Sequence, residues 1–356
     1  MIAAILIVAA LPLVGITFGC RGHDDPGLSV QPTAGWPEQF KEYAREEEST
    51  YLTFPEWYIV YSSQEYANFL KENRRPSAFP YFASIGQFWR TYCDVVRVTR
   101  SRYPFNVGDH VMLSFIGTSF SVEYAVKGFY ENTAGRFTEW LRGPTLTGED
   151  RYASTVAREY ADFLDTIPWY EFPFSEKLAG LWRETSSTGP GLFRKWERKV
   201  SLTAEYAGKG AWGWVTKKLT KGLLPPAATE IYLRTSPLLP ALLQSEPRVH
   251  VIADVDTESQ IVRVPRYQAF TEIVPVLARQ GVRFIQIAGN DDILVTVLAP
   301  RNWQFGGESG EELFSMDVLT QPQLKRSALR VPVVSLHTVI PDLDRDRVAI
   351  EHLYDY

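Results

Sequence analysis

The chain has 356 residues, 45% of them hydrophobic and 22% charged, values that belong to globular proteins and exclude wholesale disorder. That length suits two ordinary domains with cores of their own. A net charge of −5 and a pI near 5.7 exclude a general nucleic-acid binder, and no zinc-finger, RNP or helix-turn-helix pattern is present.

Residues Ile2 to Phe18 carry no charge, so residues 1–20 are expected to be a membrane anchor or signal-like segment. No basic residue precedes the run, which places a single N-terminal anchor ahead of a cleaved signal. Cys20, in ITFGC, adds a second alternative, a lipidated cysteine; Gly19 suits that processing, whereas Thr17 and Phe18 do not. Arg21, Asp24 and Asp25 follow the run and leave open which side of the membrane the rest occupies. Cys20 and Cys93 are the only cysteines, too few for a disulfide framework or a Cys-rich zinc site.

Residues 21–35 read as a Pro- and Gly-containing linker. Residues 36–226 read as a mainly helical, aromatic-rich, membrane-proximal domain. Of the 10 tryptophans, only Trp303 lies beyond Trp214. WPEQFKEYAREEE from Trp36 has Pro at an early helical position, and SSQEYANFLKEN offers Ser62 or Ser63 as N-caps with Glu65 in a capping box. GEDRYASTVAREYADFLDT places Tyr152, Val156, Tyr160 and Phe163 at helical spacing. Two similar phrases, TFPEWYIVY from Thr53 and TIPWYEFPF from Thr166, flank EYANFL and EYADFL in opposite order, which argues against a tandem repeat. Trp57, Tyr58, Trp169 and Tyr170 are expected to pack around Pro55 and Pro168 as one aromatic wall, with Glu56 and Glu171 at its edge.

From His110 to Tyr130 the chain reads as one long apolar helix, buried or partly membrane-embedded, with Glu123 and Lys127 as an i,i+4 pair. GTSFS around Ser119 is an imperfect nucleophile elbow, which needs a strand–turn–helix and an acid–His pair. If the chain is an enzyme, Glu56, His110, Ser119, Glu123 and Glu171 are the candidate catalytic groups. The carboxylates are chosen because burial beside Trp raises a carboxyl pKa; Glu139-Trp140 has the same pattern. The five histidines lack metal-ligand spacing, so neither metal nor cofactor is expected.

The segment from Arg194 to Gly222 is a basic island in an acidic chain. Arg194, Lys195, Arg198 and Lys199 open it around Trp196; Lys209, Lys217, Lys218 and Lys221 continue it around Trp212 and Trp214. This pattern describes a helix lying on a membrane surface with its charges on lipid phosphates. The G-x-G-x-x-G at Gly208, Gly210 and Gly213 lacks the preceding strand that dinucleotide binding requires, and its small residues are expected to allow close helix approach.

Residues 227–356 alternate strands and helices. A β-α-β-β-α-β order between Glu230 and Ala288, followed by an extra hairpin strand, predicts a ferredoxin-like or related α+β sandwich. Phe270, Ile273 and Leu277 should face the sheet, above Val262, Val264, Ile285, Ile287, Val295 and Val297. LRVPVVSLHTVI reads as a strand and DRDRVAIEHLYDY as a terminal helix. The whole is an α+β chain, expected to be a non-enzymatic binding or assembly factor at a bilayer surface. Its partners would be membrane lipids and a membrane or soluble protein; the alternative is a membrane-bound, hydrolase-like enzyme acting on a hydrophobic or lipid substrate.

Overall fold

The computed structural model describes Cys20 and residues 35–143, 145–223, 228–306 and 309–355, with the side chains of 219–223 left undescribed. The expected anchor, most of the linker, the Pro225-Pro226 boundary and the Lys221 side chain lie outside the described residues. The architecture is α+β, helices with two antiparallel sheets. No described helix is long and apolar enough to cross a membrane.

The chain divides into two compact units, and the division is not the sequential one expected at residues 226–227. One unit contains residues 57–86 and 119–223. It holds most of α2 (Phe54–Lys71), the start of α3 (Tyr81–Arg100) and the second half of α4 (Val107–Tyr130), then α5 (Arg136–Arg142), α6 (Gly148–Leu164), α7 (Phe174–Glu184) and α8 (Leu192–Leu223). Helix α6 starts on a complete capping box, Thr147 with Asp150, which sets its first turn. Helix α2 runs straight through Ser62 and Ser63, so neither caps it; Pro55 occupies its first turn, where a missing N–H costs nothing.

The other unit contains the described residues up to Glu56, with α1 (Glu48–Leu52), then Gln87–Thr118 and the chain from Ala228, with α9 (Pro240–Ser245). Its sheets are formed by β1 (Glu230–Thr235), β2 (His250–Asp254), β3 (Gln260–Pro265) and β4 (Phe284–Ile287), and by β5 (Asp292–Pro300), β6 (Glu311–Asp317), β7 (Leu324–Pro332) and β8 (Ala349–Leu353). The orders are β2-β3-β1-β4 and β6-β7-β5-β8, with every neighbouring pair antiparallel. These are the same arrangement twice. Arg263-Val264-Pro265 ends β3 and Arg330-Val331-Pro332 ends β7; Pro265 faces Glu230 as Pro332 faces Asp292. Each strand leads to a helix with an internal proline, Pro275 in α10 (Gln268–Arg279) and Pro341 in α11 (Leu336–Arg345). Each helix is followed by a residue at positive φ, Gly281 or Arg347, and then by the edge strand.

This duplication corrects two expectations. The extra hairpin strand is β5, the first strand of a second sheet, and the segment expected as a terminal helix instead carries β8, paired along β5 from Ala349 to Leu353. Likewise the strand expected over LRVPVVSLHTVI stops at Pro332, and α11 starts at Leu336. Phe270, Ile273, Leu277, Val262, Val264, Ile287, Val295 and Val297 are buried as expected; Phe284 takes the core position expected of Ile285. The Trp36 helix is a short 3-10 helix, Glu38–Tyr43, whose Tyr43 stacks on Tyr232 at 4.0 Å. Beyond it the Arg45 N–H donates to Ala288 O, and Thr50 Oγ1 accepts from the Leu294 N–H. Cys20 and Cys93 form a disulfide in this unit, which leaves no Cys20 thiol for lipidation.

Candidate functional site: a buried ionic core in the helical unit

The basic island at the start of α8 points inward. Arg194, Arg198 and Lys199 are buried, whereas Phe193, Trp196 and Val200 on the same turns are exposed. Burying such charges is tolerable only when each is paired and hydrogen-bonded. Every nitrogen of the Arg194 guanidinium has a partner. Nε donates to Asp150 Oδ1 at 3.0 Å, and Nη1 to Glu197 Oε2 at 2.9 Å, Thr138 Oγ1 at 3.1 Å and Gly135 O at 3.2 Å. Its Nη2 lies 2.8 Å from Asp150 and 3.5 Å from Glu139. Arg198 donates to Glu131 at 2.7 Å and Glu197 at 3.1 Å, and Arg142 donates to Asp150 at 2.9 Å.

A π-helical turn, Glu131–Gly135, makes room for this network between α4 and α5. The Gly135 carbonyl at its end accepts from both Arg194 and the Thr138 hydroxyl. A Cβ at Gly135 would collide with the Glu131 carboxylate, which would have to shift within the network. Burial pushes the Asp150 and Glu197 carboxyls upward, but Arg194 and Arg198 outweigh it and hold both below the usual range. Glu139 accepts from Ser77 Oγ at 2.5 Å as well as from Arg194. Lys199 donates to Thr185 O at 2.9 Å and lies 4.0 Å from Glu149, whose carboxylate oxygens have no other partner among the described residues.

A second polar layer lines a cavity of about 70 Å³ in the same unit. Lys127 pairs with Glu205 at 3.0 Å and Lys209 with Glu123 at 2.6 Å, so the expected i,i+4 pair of Glu123 and Lys127 gives way to bonds between α4 and α8. Tyr66 stands under the Lys127 ammonium and Tyr160 under that of Lys209. Burial raises the Glu205 carboxyl, but Lys127 and Lys209 prevail and hold it at about 2. The cavity has room for only a few waters, and its charges are already matched.

Of the candidate catalytic groups, Glu56 and His110 belong to one unit; Ser119, Glu123 and Glu171 belong to the other. Ser119 sits in the middle of continuous helix α4, so no strand–turn–helix elbow exists around it. His110 is buried against Phe105 and bonded to Tyr92; burial, with Arg100 nearby, pushes its imidazole down to about 4. Burial and Asp109 push the Glu56 carboxyl up to about 7. Glu171 is tied to Lys217.

Of the membrane-surface residues, Arg194, Arg198 and Lys199 are buried, and Lys209 is held in its ion pairs. Lys195 is bonded to the Ser186 and Thr188 carbonyls, Lys218 stands over Trp214, and Trp196, Trp212 and Trp214 are exposed. Trp57 meets Tyr61, and Tyr58 meets Phe120 and donates to Ser84 O. Trp169 packs on the Phe172–Leu181 cluster, and Gly213 of α8 lets the helix approach the Trp169-Tyr170 turn.

Sequence reasoning missed the acidic half of the network: Glu131, Asp150, Glu149 and Glu197. The Thr147-x-x-Asp150 box and the Arg194, Glu197, Arg198 spacing were the available signals. Comparison with protein-family models, curated proteins and solved structures finds no match for this chain.

Proposed function

We propose that this chain is a membrane-anchored, non-enzymatic binding or assembly factor working at a bilayer surface. The observation that carries the reading is the saturation of its buried charges: Arg194, Arg198, Lys127 and Lys209 are each spent on protein carboxylates. An enzyme acting on a hydrophobic substrate would gather free acid, base and nucleophile in one pocket, whereas in the helical unit Glu123 and Glu171 are paired with Lys209 and Lys217, and Ser119 lies in the middle of a helix. The α+β unit, read as a duplicated ferredoxin-like sandwich, is the part offered to a protein partner; its strand orders support that reading. The Cys20–Cys93 disulfide supports an oxidising compartment for the described residues, with Ile2 to Phe18 as the span that delivers them there.

Fractionation tests this. The full chain should stay with membranes through high-salt and carbonate washes and lose that resistance when residues 1–19 are deleted. Its cysteines should accept an alkylating reagent only after reduction. Full release of the intact chain by carbonate would sink the anchor, and free thiols in the native protein would sink the compartment assignment.

A further inference from the structure

We propose that the apolar outer face formed by the end of α4, by α5 and by the start of α8 is a bilayer-insertion surface, seated shallowly in one leaflet. This rests on the reading that the chain works at a membrane, and it assigns the lipid contact to a surface remote in sequence from the anchor. Polarity here is inverted. Phe193 is 76% exposed, Trp140 71%, Phe129 69% and Phe137 60%, whereas Arg194, Arg198, Glu131 and Glu139 on the same turns are at most 3% exposed. A helix facing water puts its charges outside and its aromatics inside. Ionisable groups turned inward and paired with one another, beneath an apolar exterior, are the arrangement that hydrocarbon favours.

The exposed side chains form stripes rather than scattered singles. Val122, Val126 and Phe129 recur at helical spacing on α4, and Phe137, Trp140 and Leu141 do so on α5, with the Phe137 and Trp140 rings 6.2 Å apart. On α8, Phe193, Trp196 and Val200 continue the pattern, and Trp196 lies 6.1 Å from the exposed Trp182 ring. Charge identifies the occupant as lipid. On α5, and on α8 from Leu192 to Val200, the carboxylates of Glu139 and Glu197 are turned into the network, so Arg136 and Lys195 are the charges left at the margin. Cations and tryptophans beside an apolar stripe match phosphates above acyl chains. No described helix can cross a bilayer, which makes insertion shallow, and the uncharged run from Ile2 to Phe18 keeps this face within reach of one.

The test uses the full chain in phosphatidylcholine–phosphatidylglycerol vesicles, with its native disulfide intact. Phe193→Cys and Phe129→Cys, each carrying a polarity-sensitive dye, are compared with Val276→Cys, an exposed position on α10. Brominated lipid should quench the dyes at 193 and 129 several-fold more than the dye at 276, and aqueous iodide should do the reverse. A chain that floats with the vesicles while its 193 and 129 dyes are quenched by iodide like the 276 dye overturns the insertion and leaves the anchor standing. Excimer formation between pyrenes at 193 on different copies overturns it in favour of a protein–protein contact. Failure of the full chain to float overturns the membrane reading itself.

Discussion

Arg194 illustrates how a single side chain can hold a helical unit together. Its guanidinium joins α5, α6 and α8 through Thr138, Glu139, Asp150 and Glu197. Arg194→Ala leaves those carboxylates buried without their counter-charge and should destabilise the helical unit by about 3–5 kcal/mol, read as a loss in denaturant midpoint. Arg194→Lys keeps the charge and loses the planar fork, so it should fall between the two. Titration separates two further residues. The Glu205 carboxyl is held at about 2, below the unfolded value of about 4.3. Its stabilisation is therefore present above the unfolded value and is lost as pH falls through 4 toward 2. Glu48 behaves oppositely: burial, with Asp109 and Glu46 nearby, raises it to about 7. Its favourable contribution is complete below about pH 4.3 and is lost as pH rises to 7. Glu205→Gln should thus lower the melting temperature at pH 7 and lose most of that effect near pH 2.5. Glu48→Gln should raise it at pH 7.5 and be neutral at pH 4. A pH-independent effect in either variant would count against the assigned environment.

Among the elements, α3 and α4 approach closely at Gly117, where an added Cβ would collide with the Phe88 ring. Phe88 is buried, so its ring has little freedom to retreat. Gly117→Ala should cost about 1–3 kcal/mol by overpacking, although alanine is the better helix former. A gain in stability would mean that the helices separate at no cost. Helix α8 carries the opposite lesson about element-level reading. Its charges repeat at helical spacing, which fixes the face they share, but periodicity is silent on whether that face meets water or other charges.

For the whole molecule, residues 35–56 act as a strap on the sheet unit. Tyr43 covers Tyr232, the Arg45 N–H satisfies the Ala288 carbonyl, Thr50 satisfies the Leu294 N–H, and Phe54 stacks on Tyr354. The hydrophobic core beneath, from Ile231 to Leu353, lies entirely within the C-terminal part of the chain. A fragment starting at Ala228 should therefore fold, giving a dispersed amide spectrum, but melt lower than the same unit in the full chain. A synthetic peptide of residues 35–56, added in excess, should raise its melting temperature through binding to the native state. An undispersed spectrum would show that the core does not suffice, and an absent shift would show that the strap contributes little.

The sequence by itself determined the elements whose signals are local. The helical spacing of Tyr152, Val156, Tyr160 and Phe163 in α6, the 3.6-residue period of α10 and the alternation in β1, β3 and β5 depend on neighbouring residues, and all are present. It did not determine β8, because a run as short and mixed as VAIEHL does not separate strand from helix by periodicity, and only pairing with β5 extends it. Tertiary structure alone decided the direction of the basic island. The partners of Arg194 and Arg198 in Glu131, Glu139 and Asp150 lie 44 to 67 residues away, and a buried charge is stable only once those carboxylates have arrived. The same residues that read as a lipid-facing basic surface thus became the interior of the helical unit, and the aromatics between them became its exterior.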